Sequence, residues 1–150
     1  MNSRCRLVLI AIAASACGGC GGDGLKLYPL SGKVLLDGAP LSPKEGEVAY
    51  VEFMADKAGG NQSLHLPRGP IKPDGTFTVS TVEQSGIEAG AWTARVVYTT
   101  PDVAGLKKNA YAVPLSMVAP KYSDFGASGF KVTAGPGSSQ MPDLNVSKKP

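Results

Sequence analysis

An all-β fold, an antiparallel sandwich of about seven short strands behind an export signal, is what this sequence of 150 residues predicts. Three observations lead there. From residue 25 onward apolar residues alternate with polar ones in short runs. Turn signals rich in glycine, proline and aspartate separate the runs at regular spacing. No stretch of useful length shows a helical repeat, and short strands in series pack as two antiparallel sheets.

Residues 7–16 form an apolar run preceded by Arg4 and Arg6 and closed by Ala14-Ser15-Ala16-Cys17. The run falls short of the roughly 20 apolar residues that a membrane-crossing helix needs. With its basic start and small residues before the cut it reads as a secretory signal. The chain then divides into a signal at 1–16, a cysteine-headed glycine-rich tether at 17–24 and one domain at 25–150. Ala14-Ser15-Ala16-Cys17 resembles the bacterial lipobox, whose cysteine is acylated on sulfur and becomes the new N-terminus; Ala14 replaces the usual aliphatic residue. Ala14-x-Ala16 is equally a site for ordinary signal peptidase, which would release a soluble chain with a thiol at Cys17. A cysteine at the cut favours the lipidated form, with the lipid bilayer as partner and about 0.8 kcal/mol of anchoring for each buried CH₂. Gly18, rather than aspartate, follows Cys17, and by resemblance to Gram-negative sorting signals this directs the lipoprotein to the outer membrane rather than the inner one.

Removing Arg4 and Arg6 with the signal takes the 15 basic side chains to 13 against 12 acidic, a net charge of +1. No nucleic-acid surface is implied. The three cysteines stand at 5, 17 and 20, so the domain must be held by packing alone. Cys17 and Cys20 also form a C-x-x-C pair, but no second pair follows and the single histidine, His65, is far along the chain. The segment 18–24 is a flexible link reaching about 15 Å on average.

The elements follow in order. Residues 30–36 alternate around Gly32, Val34 and Leu36 and break at Asp37-Gly38-Ala39-Pro40, a strand then a turn. Residues 47–54 place Ala49, Val51 and Phe53 on one face and Val48, Tyr50 and Glu52 on the other, as in a strand with one side in the core. Residues 64–71 contain Pro67 and Pro70; proline cannot donate to a ladder, so a strand here is short and at an edge. In Lys72-Pro73-Asp74-Gly75 the proline presets φ, the aspartate caps locally and the glycine accepts positive φ. Residues 76–81 set Phe77, Val79 and Thr81 against Thr76, Thr78 and Ser80, and close a hairpin with the preceding run. The longest strand is expected over 91–99, with Trp92, Ala94, Val96 and Tyr98 toward the core. Residues 101–127 carry three prolines and two glycines with little periodicity, a long loop of the kind that is functional or irregular. Strands at 130–133 and 143–146 complete the domain before a polar tail.

Ser31-Gly32-Lys33-Val34, Asp37-Gly38-Ala39-Pro40-Leu41, Pro73-Asp74-Gly75-Thr76-Phe77 and Ala89-Gly90-Ala91-Trp92-Thr93-Ala94 occur in that order. Together they resemble the carboxypeptidase regulatory-like, transthyretin-like sandwich family, which runs as G-x-V, D-G-x-P-L, D-G-x-F and P-G-x-Y; Ala89 stands for the proline and Trp92 for the aromatic. Val118 to Asp124 leading to Ser128-Gly129-Phe130-Lys131-Val132 resembles the small exported lipoproteins of this family found in planctomycete-type bacteria. The resemblance implies an Ig-like, transthyretin-like sandwich and an envelope location, and it carries no assigned activity. Hydroxyisourate hydrolases of this fold use several histidines, an arginine and a C-terminal Tyr-Arg-Gly-Ser; this chain has His65 alone and ends in Ser-Lys-Lys-Pro.

The candidate residues are therefore few. A serine triad needs a histidine held by a carboxylate, and His65 in its irregular stretch reads as an exposed or locally bonded loop residue. Asp37 and Asp74 sit beside glycine in turns and, with Asp124, give no reason to invoke calcium. Trp92 follows a glycine at a strand start and belongs to the core rather than to a sugar platform. Tyr111, Tyr122 and Phe125 lie on the long loop, where binding surfaces of sandwiches sit; Tyr122 and Phe125 also suit pinning that loop to the core. Lys107-Lys108 reads as a solvated pair. The expectation is a membrane-anchored, non-catalytic binding or structural module of the envelope, with no cofactor or metal and an envelope protein or glycan as partner. A carbohydrate- or peptide-binding module using the loop, and a small secreted hydrolase using His65, are the alternatives.

Overall fold

The computed structural model describes residues 25–101 and 114–149; the expected signal and tether (residues 1–24), Tyr111 and Lys107-Lys108 lie outside them. Among the described residues the chain forms thirteen short strands: β1 (Leu27–Tyr28), β2 (Ser31–Leu36), β3 (Ala39–Pro40), β4 (Val48–Ala55), β5 (Arg68–Pro70), β6 (Thr76–Thr78), β7 (Ser80–Thr81), β8 (Gln84–Ser85), β9 (Ile87–Glu88), β10 (Gly90–Thr100), β11 (Leu115–Ser116), β12 (Phe130–Ala134) and β13 (Leu144–Val146). They build an all-β sandwich. The larger sheet runs β11-β10-β4-β5-β7-β8, with β12 on the first half of β10. The smaller one runs β13-β2-β3, with β6 also on β2, and β1 pairs β9 as a separate ribbon. The β13–β2 ladder is parallel, an exception to the antiparallel rule read from the sequence.

Alternation sets the core. Val51 and Phe53 of β4 and Trp92, Ala94 and Val96 of β10 have no exposed surface, and they meet Leu30, Val34 and Phe77 from the other side. Trp92 is a core residue whose indole N–H donates to the Glu88 carbonyl at 3.0 Å, which satisfies its one polar atom. Close packing reaches the backbone: a Cβ on Gly69 would lie 2.8 Å from the Phe77 ring and 3.1 Å from the Thr78 carbonyl oxygen.

Two segments join the sheets. Residues 76–81 pair first with β2, Gly32 opposite Phe77, and then with β5, Ser80 opposite Arg68. On the other side Met117 N donates to Tyr98 O in the large sheet, while Ala119 N donates to Ser147 O beyond β13. The stretch 114–127, expected as part of an irregular loop, is thus a structured seam: β11, the fully buried Val118 and a 3-10 turn at Pro120–Ser123. Its apolar positions are too few to show a period, and its ordering comes from bonding to both sheets at once.

A second correction concerns the proline-containing strand. β5 is short, as expected, yet it lies between β4 and β7 instead of at an edge. Pro67 O accepts from Phe53 N, and Ile71 N donates to Ala49 O. The nitrogen of Pro70 therefore points away from β4, to the side where pairing with β7 has already stopped at Arg68.

The tight turns divide into relaxed and strained ones. Asp37 and Gly38, at φ 52° and 84°, make the two-residue turn between β2 and β3, a conformation that suits Asp-Gly. Val82 and Glu83, at φ 46° and 64°, make the same turn between β7 and β8, where neither residue is favoured and a β-branched side chain is costly. Replacing the pair by Asn-Gly (Val82→Asn with Glu83→Gly) is expected to raise the unfolding free energy by about 1–2 kcal/mol, read as a higher urea midpoint at unchanged slope; an unchanged midpoint would mean that the turn stores no strain.

Candidate functional site

The outer face of the large sheet is organised in rows, because directly opposed residues of antiparallel strands share a face. One row is Arg95, Glu52 and Arg68, with Arg95 opposite Glu52 and Glu52 opposite Arg68. Glu52 is 1% exposed, although the strand pattern assigns its face to solvent. Arg68 Nε reaches one carboxylate oxygen at 2.6 Å, and Arg95 holds the other through Nε at 2.8 Å and Nη2 at 2.5 Å. Both oxygens are satisfied by cations, the condition under which a buried carboxylate is tolerated.

Arg95 also organises what covers the row. Its Nη1 donates to Ser123 O at 3.3 Å and its guanidinium lies 4.5 Å from the centre of the Phe125 ring. Ser128 Oγ donates to Ala94 O at 2.6 Å and Asp124 Oδ1 caps Ala127 N at 2.8 Å. The segment 120–128 is thereby laid across the sheet with Phe125 over Arg95.

The next row is apolar. Thr93 lies opposite Met54, and the β4–β5 ladder continues past Arg68 to Pro67, bringing Leu66 alongside. These residues, with Leu64, Phe125 and Gly126 and the polar Asp56, Lys57, Ser63 and His65, line an open groove of about 590 Å³. Its polar corner is a knot of three side chains. Ser63 Oγ donates to Glu88 Oε2, His65 Nδ1 lies 2.8 Å from the same oxygen, and Ser63 Oγ is 3.4 Å from His65 Nδ1. Asn61 supports it: its Oδ1 accepts from Ser63 N at 3.0 Å and its Nδ2 donates to Ala91 O at 2.9 Å. A serine relay needs the hydroxyl on one ring nitrogen and the carboxylate on the other. Here both approach Nδ1 and the hydroxyl proton goes to the carboxylate, so the three groups lock the 61–66 loop to β9. Burial pushes the Glu88 carboxyl up, but the hydrogen bonds from Ser63 and His65 outweigh it and hold the group below the usual carboxylate range.

Of the sequence candidates, Phe125 and His65 line this groove. Tyr122, half-buried, stacks on Phe130 with ring centres 5.8 Å apart. Tyr111 and Cys17 lie outside the described residues. Asp37, Asp74 and Asp124 serve three separate turns, Asp74 bonding Thr76 N and Oγ1 at 2.9 and 2.7 Å. Glu52, Ser63, Glu88 and the two leucines were not singled out by sequence. The available signal was a charge midway along each of the two longest strands, Glu52 and Arg95, where alternation alone offers it no partner.

At the opposite end of β10 the Tyr98 hydroxyl donates to Glu47 Oε2 at 2.6 Å. Burial first, and then the Glu47 carboxylate, pushes the phenol up to about 12. Because the folded phenol titrates above the unfolded one, the stability it contributes is complete below about pH 10 and is lost as pH rises toward 12. Stability followed by urea unfolding is therefore expected to fall more steeply across that window in the native chain than in Tyr98→Phe; parallel curves would remove this assignment. For the ion row, Arg95→Ala is expected to lower the unfolding free energy by about 2–4 kcal/mol, since Glu52 keeps only Arg68. Arg95→Lys should recover little of it, because an ammonium cannot reproduce the planar fork; a cost below about 0.5 kcal/mol, the scale of a surface pair, would show that the row behaves as a surface one. No family model, no curated protein and no solved structure matches this chain, so the chemistry of the groove rests on its own residues.

Proposed function

We propose that this chain is an exported lipoprotein, anchored by an acylated Cys17 and working as a non-catalytic binding or structural module of the cell envelope, in the outer membrane rather than the inner. The observation that carries the reading is the placement of the groove. It opens at the end of the sandwich where the chain enters the domain: Leu27 pairs with Glu88, whose carboxylate holds His65 on the groove wall. A module tied to a bilayer by the short segment 17–24 presents this end toward its anchor. The lipobox-like Ala14-Ser15-Ala16-Cys17, the glycine-rich tether and the resemblance to carboxypeptidase regulatory-like lipoproteins support the same reading. Phe125 at the groove favours a second one, in which an envelope protein or glycan lies there against its ring.

Intact mass and membrane fractionation of the exported protein test the proposal. The native chain should begin at Cys17, carry acyl mass and sediment with the outer membrane, and Cys17→Ser should be released or left unprocessed. A soluble native chain without lipid mass would overturn the anchor and return the secreted hydrolase to consideration.

A further inference from the structure

We infer that the groove end of the sandwich is a membrane-contact surface, in which Leu64, Leu66 and Val82 enter the lipid interface of the bilayer that holds Cys17. The inference rests on the lipid-anchor reading and names the partner of the same groove. Leu64 is 91% exposed, Val82 67%, Leu66 53% and Met54 41%; Met54, Leu64 and Leu66 line the groove, and the register of β4, β5 and β7, with Glu52 opposite Arg68 and Arg68 opposite Ser80, carries the turn at Val82 to the same end. Isolated exposed leucines need no explanation, whereas a cluster around an open groove marks a contact.

Geometry selects the bilayer as occupant. Seven residues, 18–24, separate the proposed acylated cysteine from the first residue of the domain, an average reach of about 15 Å. The eleven residues of β10 alone span roughly 35 Å, so the far end stands beyond the tether while the groove end meets the surface. The residue types agree. Val82 keeps a β-branched apolar side chain at φ 46°, where asparagine or glycine would suit the turn, so the turn itself does not account for it. Asp56 is bonded to Lys131 and Glu88 to Ser63 and His65, which among the described residues leaves Lys26 and Lys57 against Glu83 and a contact that is apolar more than electrostatic. Attachment of this end should then depend little on salt or on anionic lipid.

The test uses the full acylated chain reconstituted in phosphatidylcholine vesicles, with Cys20→Ser and an environment-sensitive fluorophore on Leu64→Cys or, for comparison, on Val48→Cys at the far end of β4. The probe at 64 is expected to shift to the blue and to be quenched by nitroxide-labelled lipid, and the probe at 48 to do neither. Val82→Asn should weaken the quenching at 64 while leaving the fold at least as stable, which separates contact from unfolding. Acylated protein with equal, water-like signals at 64 and 48 overturns the inference and leaves the anchor standing; absence of acyl mass in the same preparation overturns the anchor and the inference with it. Shielding at 64 that grows with protein concentration and ignores the lipid quencher overturns it in favour of a second copy.

Discussion

The ladder between β4 and β10 positions nearly everything else. Eight consecutive residue pairs, Trp92 opposite Ala55 through Thr99 opposite Val48, fix which side chains face inward and which outward, since a slip of one residue would exchange the faces. In this register Val51, Phe53, Trp92, Ala94 and Val96 enter the core, and Glu52 falls opposite Arg95. A slipped register would bury Arg95 and expose Trp92. The ion row therefore works with the apolar pattern, and burying Glu52 is tolerable only because two guanidiniums converge on it.

The domain has no cysteine from residue 25 onward, and its closure depends on strands that change sheets. Residues 76–81 leave β2 for β5, and residues 115–119 leave β10 for the chain after β13. Each crossover pairs polar backbone that would otherwise be exposed at a sheet edge, and edges are where sandwiches aggregate. Val118, without exposed surface, shows how tightly the second crossover is held.

The two ends of the sandwich differ in character. The far end carries a buried phenol on a carboxylate, Tyr98 with Glu47, and its backbone feeds the β11 seam. The near end gathers exposed leucines, a strained valine turn, a locked serine–histidine–glutamate knot and the point where the chain enters the domain. This difference between the ends is what the proposed anchored module calls for. Arg95 connects the near-end groove to the core by holding Glu52 below and Phe125 above.

Much of the fold was legible in the sequence, because alternation and turn chemistry are local. The alternation of Trp92, Ala94, Val96 and Tyr98, and Gly75 at φ 81°, needed only neighbouring residues to be read. Proline in β5 misled, since a missing donor matters only on the side it faces, and register decides that side. The site was largely illegible. Ser63 and Glu88 are 25 positions apart, Glu52 and Arg95 are 43, and neither separation carries a local signal. Composition and alternation by themselves determined an all-β domain with Trp92 inside; only the tertiary structure decided that Glu52 is buried, that 114–119 is a seam and that Leu64 and Leu66 share an end with the chain's entry, because long-range pairing, and not local preference, brings those residues together.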